Sequence, residues 1–144
     1  VMGCAAYLLL SFALWTQSQE EMRLLTIWMM SIGYVFSRGM SALSVVTFPC
    51  AKNSGLAHSF SSVAQKQRVR VIAILFIVGC ALAFLAIRLP LGGLILFGCA
   101  LTFWYYHHLS MKQFGGITGD LAGWFLQVNE AVILMLSVLF ALFQ

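Results

Sequence analysis

Between Arg70 and Lys112 the chain carries one charged residue, Arg88. A water-soluble domain builds its surface from charged side chains, usually about a quarter of all residues. Here 8% of 144 residues are charged and 62% are hydrophobic, with a mean hydropathy of +0.96. A soluble globule, a disordered tail and a nucleic-acid module all need more polar or basic surface than this. The eight Lys and Arg residues, which give a net charge of +4, are too scattered for a nucleic-acid footprint. In a membrane protein such an excess reports topology. What remains is an integral membrane protein or part of one.

A spanning helix needs about 20 mostly apolar residues. Apolar segments run over 1–15, 24–51, 71–89, 91–109 and 120–143. The second is interrupted by Arg38 and turns near Pro49, and the third and fourth are separated by a hairpin around Arg88, Pro90, Gly92 and Gly93. An open sheet cannot satisfy its backbone in lipid. The expected fold is therefore an all-α polytopic membrane helix bundle of about five transmembrane helices, forming one integral domain with the lipid bilayer as its partner. Val1 already lies in an apolar run with no basic stretch before it, so the natural beginning is expected upstream, and 1–144 reads as the C-terminal part of that domain.

Lys52, Lys66, Arg68, Arg70 and Lys112 fall on one side of a five-span arrangement, Arg23 and Arg88 on the other. The positive-inside rule then puts the 52–70 and 110–119 loops in the cytoplasm. Residues 59–70 read either as an interfacial amphipathic helix or as a solvated loop. Cys4, Cys50, Cys80 and Cys99 have no metal-ligand spacing and read as small buried hydrophobes. His107 and His108 follow Trp104, Tyr105 and Tyr106 and fit an interfacial aromatic belt better than a metal site.

The chemistry-bearing features are three. Gly115, Gly116, Thr118 and Gly119 form a loop that opens onto the last span at Asp120. Such a loop at a helix N-terminus suits a phosphate, or is a turn with Thr118 as N-cap. Asp120 either complements the helix dipole or reaches a Mg²⁺ that bridges phosphates. Second, at 100° per residue Asp120, Gly123, Gln127 and Glu130 share a sector of about 80°. That polar stripe lines a cavity or carries a buried pair, because ionisable groups at mid-membrane depth face a bundle interior or water. Third, Arg38 lies between Ser37 and Gly39 on a helix with a small-residue face. It pairs with Glu130 or Asp120, or clamps a phosphate or carboxylate with its planar fork. Lys52 adds a phosphate contact or is a topology charge. Glu20 and Glu21 complete the four acids, and Asp120 and Glu130 are about 15 Å apart along a helix, too far for a dinuclear metal site.

The run Gly115-Gly116-Ile117-Thr118-Gly119-Asp120, with Gly123 and Glu130, resembles the C-terminal signature of cobalamin synthase, the adenosylcobinamide-GDP ribazoletransferase of the bacterial inner membrane. Ser37-Arg38-Gly39 followed by Ala51-Lys52-Asn53-Ser54-Gly55-Leu56 resembles that family's mid-chain pattern, with Lys52 where an arginine is expected. The resemblance implies a Mg²⁺-dependent, phosphotransferase-type enzyme late in vitamin B12 biosynthesis. Its substrates would be adenosylcobinamide-GDP and α-ribazole or its 5′-phosphate, and GMP would be released. It implies catalytic roles for Asp120 and Arg38, with Asp120 at the metal. Gly115, Gly116, Thr118, Gly119, Lys52 and Ser37 would bind substrate phosphates. The family's acidic cluster lies in its N-terminal half and has no match here, so a fragment inactive alone is expected, completed by an N-terminal half or a second copy. The competing reading is a small membrane transport or channel component in which Arg38, Asp120 and Glu130 mark a path.

Overall fold

The computed structural model describes residues 2–17, 20–48 and 63–143. Among them the chain forms five helices: α1 (Met2–Gln17), α2 (Glu20–Thr47), α3 (Val63–Ile87), α4 (Leu89–Phe114) and α5 (Gly119–Leu142). The centre is made by α2 and α5. α2 packs against α3 and α5, α5 also carries α1 and α4, and α3 and α4 pack as a hairpin.

Among the described residues, three helical segments are long and apolar enough to cross a membrane: Gln67–Ile87, Leu89–Gln113 and Gly119–Leu142. Of the five spans expected, these three meet both requirements. The apolar part of α1, Ala5–Thr16, is short. α2 has the length but not the apolarity, because Arg38 lies mid-helix and Thr26, Ser37, Ser41 and Ser44 occupy its buried face. Lipid tails are as apolar as leucine, so helices in a bilayer associate through small and polar residues rather than through burial of apolar ones. A hydropathy reading sees those residues as interruptions when they are the contact. The helices also outrun their apolar cores. α3 begins at Val63, so Arg68 and Arg70 sit on its first turns rather than in a loop or a separate interfacial helix; Gln, Lys and Arg propagate a helix well.

Glycines mark the crossings. A Cβ on Gly33 would lie 2.9 Å from Ile133 of α5, and one on Gly39 would lie 3.1 Å from Ile77 of α3. The tightest approach is at Gly92, where a Cβ would fall inside the carbonyl group of Phe84. One extended residue, Arg88, joins α3 to α4, and its N–H donates to the Phe84 carbonyl while Gly92 N–H donates back to the Arg88 carbonyl. Arg88 also lies 5.6 Å over the Phe140 ring. At the opposite end, Phe125 stacks on Tyr106 at 4.8 Å and meets Phe103 edge-on at 5.8 Å. Phe48 closes this aromatic cluster against Phe103, Tyr106 and His107. Cys80 and Cys99 are buried free thiols.

Candidate functional site

The glycine loop is built as a double helix terminus. Gly115 takes the left-handed conformation (φ 65°) that ends α4, which a side chain resists and glycine accepts, and Gly116 N–H closes on the Ser110 carbonyl at 3.0 Å. Thr118 is then the N-cap of α5, its Oγ1 accepting from Leu121 N–H at 3.3 Å. Gly115, Gly119 and Asp120 are exposed, and Gly116 and Ile117 are buried beneath them. Lys52 lies outside the described residues.

About 15 Å deeper by helical rise, three helices meet in a buried polar cluster. Asn129 is fully buried. Its amide N–H donates to Ser37 Oγ at 2.9 Å, and its Oδ1 accepts from Thr102 at 2.8 Å, tying α5 to α2 and α4. Beside it Glu130 accepts from Tyr7 of α1 at 3.0 Å through Oε2. Its Oε1 faces Arg38 Nη2 at 4.0 Å and is a buried oxygen without a hydrogen bond. Of the two partners open to Arg38, the structure brings Glu130 to it.

The stripe is therefore divided. The packed face of α5 runs through Leu121, Phe125, Asn129, Ile133 and Ser137, and Glu130 sits at its edge. Asp120 and Gly123 are exposed, Gln127 is half-buried, and nothing lies within contact of a Cβ placed on Gly123. Sequence reasoning missed Tyr7, Thr102 and the central place of Asn129. The intramembrane asparagine was itself a signal, since such a group needs partners on neighbouring helices.

The Mg²⁺ expected at Asp120 is corrected. Among the described residues no group of three or more His, Cys, Asp or Glu could hold a metal ion. Asp120 is exposed at one end of α5, and the nearest acid along that helix, Glu130, is engaged with Tyr7 and Arg38. These residues do not fit the ion.

The cobalamin-5-phosphate synthase pattern matches residues 1–138. The chain belongs to that family. Among relatives of this family, an adenosylcobinamide-GDP ribazoletransferase of Lachnoclostridium phytofermentans is 36% identical over 96 residues. That alignment covers 67% of this chain and 37% of the relative, so the chain spans little more than a third of the curated protein it matches. No solved structure matches it.

For this family member, replacing Asn129 with leucine is expected to remove the donor to Ser37 Oγ and one of the two acceptors of Thr102, whose hydroxyl keeps the Cys99 carbonyl at 2.9 Å. Interhelical hydrogen bonds in membranes contribute about 0.6 kcal/mol each on average, so the loss of two should cost about 1 kcal/mol. Thermal unfolding in detergent, followed by tryptophan fluorescence, measures it. An unchanged midpoint would show that the two hydroxyls find other partners.

Proposed function

We propose that this chain forms the corrinoid-side part of a membrane ribazoletransferase. The reaction joins α-ribazole or its 5′-phosphate to adenosylcobinamide-GDP: a ribose hydroxyl attacks the phosphorus nearer the cobinamide, the bridging P–O bond breaks, and GMP leaves. What carries this reading is an arginine at mid-bundle depth in a member of this family, paired on one side and open on the other. Charge builds on phosphoryl oxygens during such a transfer, and a preorganised guanidinium stabilises it. Asp120 lies about 15 Å along α5 from Glu130, the carboxylate that Arg38 faces, a separation no single diphosphate bridges. We assign the diphosphate to Arg38, with the neighbouring Ser37, fully buried and bonded to Asn129, fixing the turn that carries it. The Gly115–Gly119 loop and Asp120 then contact the substrate beyond the diphosphate, where Asp120 meets the incoming ribose.

The loop end faces the cytoplasm in this proposal, since Arg68, Arg70 and Lys112 lie at that end and Arg23 and Arg88 at the other. With the bundle crossing the bilayer in full, α1 and α2 line it alongside the three apolar helices. A companion N-terminal half or a second copy of the chain completes the enzyme. Purified chain in neutral detergent should bind adenosylcobinamide-GDP, and Asp120→Asn should weaken binding of α-ribazole 5′-phosphate more than binding of adenosylcobinamide-GDP. Equal effects on both would remove Asp120 from the acceptor side. Nucleotide-insensitive ion flux in liposomes would replace the transferase with the transport reading.

A further inference from the structure

The Arg38–Glu130 pair is not arranged as a purely structural ion pair would be. A buried Arg–carboxylate pair normally closes two parallel hydrogen bonds and removes both groups from solvent. Here the carboxylate side chain is 8% exposed and the arginine 69% exposed, at 4.0 Å. Tyr7 occupies the other carboxylate oxygen at 3.0 Å, so Glu130 cannot rotate away without losing its one hydrogen bond. Among the described residues, Arg38 is the one polar side chain lining a groove of about 270 Å³ between α2 and α3, walled by Val35, Ala42, Val69, Ile72 and Phe76. A guanidinium has five N–H donors in a flat fork. Its Nη2 lies 4.0 Å from Glu130 Oε1, an ion pair without a hydrogen bond, and the remaining donors are left exposed beside this largely apolar groove.

We propose that Glu130, itself fixed by Tyr7, is a positioning residue that holds Arg38 by one edge and so presents the remaining edge as a preformed fork for phosphate oxygens. The proposal deepens the assignment of the diphosphate to Arg38 and rests on it. Preorganisation is the advantage: an arginine side chain free in its rotamers loses that freedom on binding, and one drawn toward a fixed carboxylate has less of it to lose. Asn129 packs the same turn against Ser37, so the backbone carrying Arg38 is fixed as well.

The test is a double-mutant cycle on GDP affinity, measured calorimetrically with the whole chain in neutral detergent. Arg38→Ala should weaken GDP by about tenfold or more, as expected for a charge-assisted contact. Glu130→Gln keeps an acceptor for Tyr7 but removes the charge, and should weaken GDP several-fold with little change in melting temperature. Tyr7→Phe should do the same more mildly, and Glu130→Asp should retain part of the affinity. In the Arg38→Ala background, Glu130→Gln should have no further effect, because a positioning residue acts through the group it positions. If Glu130→Gln leaves GDP binding unchanged while Arg38→Ala weakens it, the diphosphate assignment stands and the positioning role falls. The role falls equally if the Glu130→Gln effect persists without Arg38. If wild type binds no GDP, or Arg38→Ala binds it as well as wild type, the diphosphate assignment falls and takes the proposal with it. Phosphatidylglycerol added to the micelles should not compete; competition would assign the fork to a lipid headgroup and overturn the proposal.

Discussion

Replacing Gly92 with valine is expected to force α3 and α4 apart and to remove most of the folded chain in mild detergent. A side chain there meets the backbone of Phe84, which cannot move aside as the end of a flexible side chain can. The single-residue connection at Arg88 leaves no slack to absorb the displacement. Inserted groups in packed interiors cost about 1–3 kcal/mol, and a backbone obstacle belongs at the upper end. For a chain of this size that lowers the melting midpoint by roughly 6–12 °C. Gly93→Val is the matched control, since nothing lies within contact of that position. Equal midpoints for the two variants would refute the close approach.

A comparable loss is expected from Phe125→Ala. Phe125 is fully buried and lies between Tyr106 and Phe103, so removing the ring empties the junction of α4 and α5. Large cavities of this kind cost about 3–5 kcal/mol where neighbours cannot collapse. The rings around it are held from two sides, Tyr106 also approaching Ser44 at 3.4 Å. Phe125→Leu should recover most of the stability by refilling the volume. The cluster underlies Ile117 and Leu121, which are buried beneath the glycine loop. Hydrogen exchange of the loop amides should therefore rise in Phe125→Ala beyond what the melting temperature alone explains. Exchange unchanged from wild type would mean that the loop holds its shape without the ring.

The order and type of the helices were legible because apolar run length is a direct consequence of the bilayer. The runs 91–109 and 120–143 lie within or against Leu89–Phe114 and Gly119–Leu142. α2 was legible as a helix with a small-residue face, and the structure packs that face, with Ser37, Ser41 and Ser44 buried on it. At the site, Arg38 and Glu130 stood out as charges in apolar segments. Their partnership depends on which helices are neighbours, and periodicity along one helix does not contain that. Asn129 lies about 100° around α5 from Glu130, outside the stripe, and it is this face that the bundle buries. Tyr7 could not be singled out because a tyrosine in a short apolar helix is ordinary until a carboxylate is placed opposite it.

The one-residue joint at Arg88 has a consequence for biogenesis. With so short a connection, α4 cannot lag behind in the insertion machinery while α3 equilibrates with lipid, since their facing backbones are already in contact at Gly92. The two must partition from the translocon as a single pre-paired unit over residues 67–113. In the proposed orientation the joint's guanidinium is carried across the bilayer at its leading tip. Release of either helix into lipid would then await synthesis of both, so a ribosome stalled between them should leave α3 crosslinking to the translocon rather than to lipid.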